Sequence, residues 1–322
     1  MVENASGQQA SPLVTVVTPL YNKEPYIRRC LESILAQTLQ DFEIIVVDDG
    51  SRDGGPEIVA SILRDGDQLI QQANAGPGPA RNTAVAAGRG QFIAFLDADD
   101  TWMPEFLATI MDLFDRYPAA GLACCRPYPE RMRVFPPGQT DGLLEDYFAA
   151  AMRVGGYICS TSATMVRRQA FECVGGFVYR NMGEDVDLWC RIALEFPVAY
   201  SEQMAAHYHF GVPGSDTSTL APVYPRFVET VKRLGTGGIP PHLESSIRVY
   251  CGTLLDGHAL SLVRAGKRAE ARAILEEARQ FAPLNPIFGS LRWRVLLPSW
   301  MHKGLTAWRS RGVSSGHDAC GP

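Results

Sequence analysis

The sequence predicts an α/β fold, a mainly parallel, Rossmann-like sheet flanked by helices, with an α-helical extension at its C-terminal end. Three observations predict it. Short β-rich runs alternate with helical patterns from residue 13 to about 125. Polar clusters follow three of those runs, as they do where a parallel sheet offers a binding rim. A Gly- and Pro-rich break, LGTGGIPP (234–241), then separates this region from a helical pattern.

The runs LVTVVT (13–18), EIIVVDD (43–49), QFIAFLD (91–97) and GLACC (121–125) read as strands, and QLIQQ (68–72) as a weaker one. Between the first two, Pro25 opens a helix whose apolar positions Ile27, Leu31, Ile34 and Leu35 follow helical spacing. Glu57 to Arg64, Pro79 to Ala87 and Pro104 to Tyr117 repeat the arrangement. From about 126 to 160 the pattern weakens around Pro127, Pro129, Pro136 and Pro137 and reads as a loop-rich insertion. SATMVRR (162–168) returns to strand, and GEDVDLWCRIALE (183–195) reads as a helix opening on Glu184 and Asp185. The expected division is a disordered N-terminus (1–12), a main domain (13–233) with halves 13–125 and 126–233, a linker (234–241) and a helical extension (242–322). Within that extension Ala259, Gly266, Ala271, Leu275, Ala278 and Pro283 fall where one tetratricopeptide repeat would place them.

A formal net charge of −5 gives no basic field for nucleic acid, which is set aside as a partner. Eight scattered cysteines without paired C-x-x-C spacing read as thiols of a reducing compartment. The start MVENASGQQASP lacks the basic and apolar regions of a signal peptide, and no stretch of about 18 apolar residues offers a membrane span. The expected location is cytoplasmic.

Parallel strand direction puts three clusters at one rim: Pro19 to Asn22, Asp48 to Ser51, and Asp97 to Asp100. Carboxylates at a strand end must be solvated, paired or bound to a metal. Asp97-Ala98-Asp99 therefore reads either as the oxygen donors of a hard divalent cation or as an acidic turn before the next helix.

The stretches VTVVTPLYNKEPYIRRCLESILAQTLQDFEIIVVDDGSRD (14–53), NAGPGPARN (74–82), GQFIAFLDADDTWMP (90–104) and GEDVDLWCRI (183–192) together resemble family 2 glycosyltransferases of the GT-A fold. The resemblance covers roughly residues 12 to 215, with the motifs in the family's order and spacing. It implies a nucleotide-sugar half (13–125) and an acceptor half (126–233). Pro19, Tyr21 and Asp49 would line the base and ribose, and Arg81 would face the nucleotide. Asp97 and Asp99 match the D-x-D motif, with Asp99 the direct ligand of Mg2+ or Mn2+ and Asp97 near the ribose or the metal's water shell. Glu184-Asp185 resembles the E-D motif, whose second acid is the general base of an inverting transfer; Glu184 falls on the acceptor side. Processive members carry Q-x-x-R-W and membrane spans, and neither is found here, so a single-sugar transfer is implied.

The residues support these roles individually. Tyr21 can stack on a base, Asp49 can accept from a ribose, and Arg81 can offset phosphate charge. Asp185 can take the proton of an attacking hydroxyl. Trp189 reads equally as the floor of an acceptor site or as a core residue. In AAHYHFGVPGSDTST (205–219), the matching region of relatives closes over the diphosphate; His207 or His209 would complete the metal site, and His209 is taken as the candidate. From Arg279 to Arg311 six Lys or Arg residues and no acid are interleaved with Trp293, Trp300 and Trp308, which suits an anionic membrane surface or docking on the acidic main domain. The expected partners are thus a nucleoside-diphosphate sugar, a carbohydrate, lipid-linked or protein acceptor, and the inner face of a membrane. Two other readings stand beside this one. Asp97-Ala98-Asp99-Asp100-Thr101 also fits the D-x-D-x-T of haloacid-dehalogenase-like phosphatases, and a transferase-like domain can act as a non-catalytic binding module.

Overall fold

A computed structural model describes residues 11–128, 142–180, 182–212 and 222–282. Nearly all of the expected N-terminal segment, most of the loop after His209 and the basic tail with its three tryptophans lie outside the described residues. The chain forms two compact units: one running to residue 220 and from 226 to 247, the other made of 221–225 and the residues from 248 on.

The first unit opens with three β-α turns. β1 (Val14–Leu20) leads to α1 (Glu24–Leu35), β2 (Phe42–Asp48) to α2 (Gly55–Ala60), and β3 (Gln68–Gln71) to α3 (Pro77–Ala87). Next come β4 (Phe92–Phe95), the short β5 (Thr101–Trp102), α4 (Phe106–Arg116) and β6 (Leu122–Tyr128). After it come β7 (Gly142–Leu144), α5 (Tyr147–Arg153), a 3-10 turn (Thr161–Ala163), β8 (Thr164–Arg167), α6 (Arg168–Val174), α7 (Glu184–Glu195), β9 (Val198–His207) and α8 (Arg226–Leu234).

β-branched residues at successive positions suit strands covered on both faces, and β2 is buried throughout its length. Pro25 supplies the first turn of α1, which buries Ile27, Leu31 and Ile34 completely, each contributing about 1.5–3 kcal/mol. The sheet order is β3-β2-β1-β4-β8-β6-β9-β5, with β7 also on β9. The first four strands are parallel, as expected. Beyond β4 the sheet is mixed, because β8 runs antiparallel to both β4 and β6. This reversal has a consequence for the site: β8 begins at the rim where β4 ends, so the Thr161–Ala163 turn arrives beside the aspartates. Register holds the rim level, with Leu20 opposite Asp48 and Val17 opposite Phe95.

Residues 234–241 do not divide the units. Gly235, at φ +63°, ends α8, but Leu243 and Ile247 remain buried in the first unit, and the division falls within α9 (Glu244–Arg264). The second unit is a helical hairpin of the rest of α9 and α10 (Arg268–Phe281), turned at Gly266 with φ +80°. Ala259, Leu262, Ala271 and Leu275 form its core, where small residues allow close helix approach.

Candidate active site

Each strand end delivers one part of a charged rim. After β4 the chain makes a turn in which Asp100 N donates to Asp97 O (3.0 Å) before β5 pairs with β9. That pairing sets Thr101 opposite His207 and brings His209 within reach, its Nε2 3.2 Å from Thr101 Oγ1.

Arg81 lies at the centre. Its Nη2 donates to Asp97 Oδ1 (2.6 Å) and its Nη1 to Glu184 Oε1 (2.8 Å), so one guanidinium joins the end of β4 to the start of α7. Two glycines make this approach feasible. Gly76, at φ +93°, precedes α3, and a Cβ on Gly78 would stand 2.2 Å from Tyr179 O, so only glycine lets α3 press against the segment leading to α7. Gly183, at φ +84°, then starts α7 and places both acids in its first turn, favourably near the positive end of the helix dipole. Burial, then the Asp185 charge, pushes Glu184 up to about 7 despite Arg81.

Asp185 is held apart from that bridge. Its Oδ2 accepts from Thr161 Oγ1 (2.9 Å) and its Oδ1 from Val186 N (2.7 Å). The neighbouring Ser162 Oγ donates to Asp100 Oδ2 (2.5 Å) and accepts from Asp97 N (3.2 Å). Asp100 is buried and raised to about 8, chiefly by burial and then by Asp97, although Ser162 and the His209 N–H (2.9 Å to Oδ1) oppose the shift. The Thr161–Ala163 turn thus ties the Asp97–Asp100 turn to the Asp185 carboxylate.

Asp99 faces cations. Lys23 Nζ lies 2.7 Å from its Oδ2, and Arg29 Nη2 donates to its main-chain oxygen at 2.7 Å. His209 is lowered to about 4 by burial, then by the charges of Arg29 and His207, so its ring is neutral at physiological pH. It stacks on His207 with centroids 4.1 Å apart.

Several expected placements change. Trp189 cannot floor an acceptor site: it is wholly buried and packs against Phe95 and Phe177 (5.6 and 6.1 Å between centroids). Glu184 is buried against Arg81 instead of facing an acceptor. Arg81 is itself buried, with both terminal nitrogens on protein carboxylates, so it positions Asp97 and does not reach toward phosphate. Asp49 turns inward, accepting from Gln72 Nε2 (2.7 Å), Ala75 N (2.8 Å) and Gly76 N (2.7 Å), and so fixes the loop that starts α3. Tyr21 stays exposed at the end of β1, and Pro19 is partly exposed within it.

Five contributors escaped the sequence reading. Lys23 and Arg29 carried a signal only as charges beside the first strand's end. Thr161 and Ser162 stood out only as hydroxyls in the apolar run YICSTSATMV (157–166). Tyr157, half exposed at the start of that run, has a pKa raised by burial and then by the nearby Asp185 charge.

Among the described residues no group of three or more His, Cys, Asp or Glu side chains is arranged as a metal site. The donors nonetheless suit a hard cation. The Asp99 carboxylate already binds a compact monocation, and Mg2+ typically takes one or two carboxylates and completes its shell with water and substrate phosphate. Asp99 and Asp97 would supply the carboxylates, with His209 as the neutral third candidate.

The fold has counterparts. Mannosyltransferase PcManGT from Pyrobaculum calidifontis, solved with GDP-Man and Mn2+, superposes with a TM-score of 0.58 at 22% identity, covering 89% of this chain and 85% of that one. Residues 1–349 of S. aureus TarS, solved with UDP-GlcNAc, give a TM-score of 0.61 at 20% identity over 83% of this chain and 91% of that one. These likenesses establish the fold. In sequence, the succinoglycan biosynthesis protein ExoW of Rhizobium meliloti is 41% identical over 112 residues, 33% of this chain and 35% of the relative. The chain spans 26%, 28% and 52% of the length of three other curated relatives that it matches. The model of Glycosyl transferase family 2 matches residues 15–175, half of the chain, and the protein therefore belongs to that family.

Proposed function

We propose that this protein transfers a single sugar from a nucleoside-diphosphate sugar to an acceptor hydroxyl, with inversion and with a divalent cation, in the synthesis of a surface polysaccharide or glycoconjugate. One observation carries the reading: the turn at Thr161 and Ser162 and the Arg81 bridge hold two carboxylate stations, Asp97 to Asp99 and Asp185, in a fixed relation at the rim. Transfer needs this separation of roles. One station serves the departing diphosphate, where Mg2+ or Mn2+ would supply charge neutralisation. The other serves the incoming alcohol, whose proton Asp185 takes as general base.

The remaining groups support those two tasks. Tyr21 offers an exposed ring for the base. Thr161 holds one oxygen of Asp185 and so orients the carboxylate. The solved complexes with UDP-GlcNAc and GDP-Man and the naming of ExoW for succinoglycan support the substrate class by likeness of fold and sequence. Phosphatase chemistry finds no support in the geometry: Asp97, the required nucleophile, follows the fourth strand and is paired with Arg81. No helix among the described residues is long and apolar enough to cross a membrane. The basic, Trp-bearing tail favours contact with an anionic bilayer carrying a lipid-linked acceptor, which cosedimentation with anionic vesicles of the whole chain and of one ending at residue 282 tests.

The decisive experiment screens nucleotide sugars for thermal stabilisation in the presence of Mn2+, then measures nucleoside-diphosphate release with and without acceptors for the native protein, Asp99→Asn and Asp185→Asn. Release that is unchanged in both variants overturns the assignment.

A further inference from the structure

The loop between β1 and α1 and the helix that follows it each aim a cation at one aspartate. The main-chain oxygen of Lys23 accepts from Tyr26 N (2.9 Å) and Ile27 N (3.0 Å), so the residue is fixed as the cap of α1. Its side chain folds back into the rim and is only 11% exposed, with Nζ 2.7 Å from the Asp99 carboxylate, itself 14% exposed. Further along α1, Arg29 takes the main-chain oxygen of the same aspartate, and the Tyr26 ring lies 6.0 Å from Lys23 Nζ and 5.0 Å from the Arg29 guanidinium. A lysine free to extend into water has no reason to hold this shielded position unless the carboxylate needs a counter-ion there.

We propose that Lys23 is the resident counter-ion of Asp99 and makes cation binding at that carboxylate conditional on the nucleoside diphosphate. The inference rests on the proposed role of Asp99 as the metal ligand. A hard cation binds a carboxylate oxygen at about 2.0–2.6 Å, which overlaps the space of an ammonium 2.7 Å from the same oxygen. On that oxygen the two positive charges repel at close range, so an ion that takes it displaces Lys23. An anion close by then receives the ammonium, and the diphosphate is that anion. Lysine suits this exchange because its ammonium is a point charge on a flexible stem that can move from carboxylate to phosphate. Cation and diphosphate therefore bind together, and linkage requires each to tighten the other by the same factor.

The test is Mn2+ binding read by electron paramagnetic resonance, without nucleotide and with UDP or GDP added separately, for the native protein, Lys23→Met, Lys23→Arg and Asp99→Asn. The native protein is expected to bind Mn2+ weakly alone and at least about tenfold more tightly with the matching diphosphate. Lys23→Met is expected to bind Mn2+ alone about tenfold more tightly than the native protein and to gain little from nucleotide, while Lys23→Arg keeps the native coupling. Lys23→Met with unchanged or weaker Mn2+ affinity and intact coupling overturns the role of Lys23, provided that Asp99→Asn abolishes binding. Binding that survives Asp99→Asn, or no Mn2+ binding to the native protein with either diphosphate, overturns the metal assignment at Asp99 itself and this inference with it.

Discussion

Replacing Arg81 with Met removes the one cation that Asp97 and Glu184 share, and the structure sets the magnitude. The guanidinium is 4% exposed, the Glu184 side chain 8% and the Asp97 side chain 29%. Removing one partner of a buried pair costs about 3–5 kcal/mol, because the other is left as an uncompensated charge. Asp97 can recover part of this from water. Glu184 cannot, and it escapes by taking a proton, at about 1.4 kcal/mol for each unit by which the pH exceeds its ordinary pKa. We therefore expect Arg81→Met to lose about 3 kcal/mol at pH 8 and about half that at pH 6, below the value near 7 to which burial already raises Glu184. Urea unfolding of the native protein, Arg81→Met, Glu184→Gln and the double variant at both pH values reads the loss and the coupling. Arg81→Met/Glu184→Gln should be more stable than Arg81→Met alone at pH 8. A loss below about 1 kcal/mol at pH 8, or an equal loss at the two pH values, refutes the reasoning.

Other consequences can be checked on the same material. Asp185→Asn should lower kcat by about 10²–10⁴, the usual contribution of a general base, while leaving the Tm of the donor-bound protein near native. Thr161→Val should lower kcat several-fold and broaden its pH profile through the loss of one oxygen's anchor, and Thr161→Ser should restore it. Trp189→Ala should cost about 3–5 kcal/mol of stability as a core truncation, whereas Trp189→Phe should leave the acceptor KM unchanged; a raised KM with native stability would restore the acceptor-floor reading. Glu184, raised from an ordinary value of 4.5 to about 7, keeps a proton in the folded state that the unfolded chain has released. Its contribution therefore makes stability fall as pH rises through that window, and Glu184→Gln should flatten the fall.

The first half of the fold was legible because its signals are local. Val14 to Val17 and Ile44 to Val47 are apolar runs of strand length, and Pro25 opens a helix where its fixed φ favours it, while the helix read from Pro79 begins two residues earlier, at Pro77. The candidate acids were legible for a similar reason: Asp97-Ala98-Asp99 and Glu184-Asp185 are short motifs at element ends. Their partners were not. Lys23 and Asp99 lie 76 positions apart, and Arg81 and Glu184 lie 103 apart. No periodicity links such pairs; the register of β1 with β4 brings the first together, and the close approach at Gly78 brings the second together. Trp189 shows the same limit from the other side. One helix turn beyond Asp185, it belongs to a face that is decided by packing against Phe95 and Phe177.

The charge balance at the rim joins these observations. Five carboxyl groups, Asp97, Asp99, Asp100, Glu184 and Asp185, face three cations, Lys23, Arg29 and Arg81. Such a rim should repel a diphosphate, yet a donor must come to rest on it. Burial answers part of the excess by raising Asp100 to about 8 and Glu184 to about 7, which leaves both largely or partly neutral near physiological pH. These two are also the most deeply buried of the five, Asp100 against Ser162 and His209 and Glu184 against Arg81. The other three, Asp97, Asp99 and Asp185, are those with tasks in the proposed transfer. An incoming divalent ion would then meet carboxylates where it serves the leaving group, while Asp185, anchored separately by Thr161, stays placed for the acceptor. If the rim were merely an acidic helix cap, burying Asp100 and Glu184 at raised pKa would serve no purpose, and replacing both by their amides would stabilise the protein without loss of turnover.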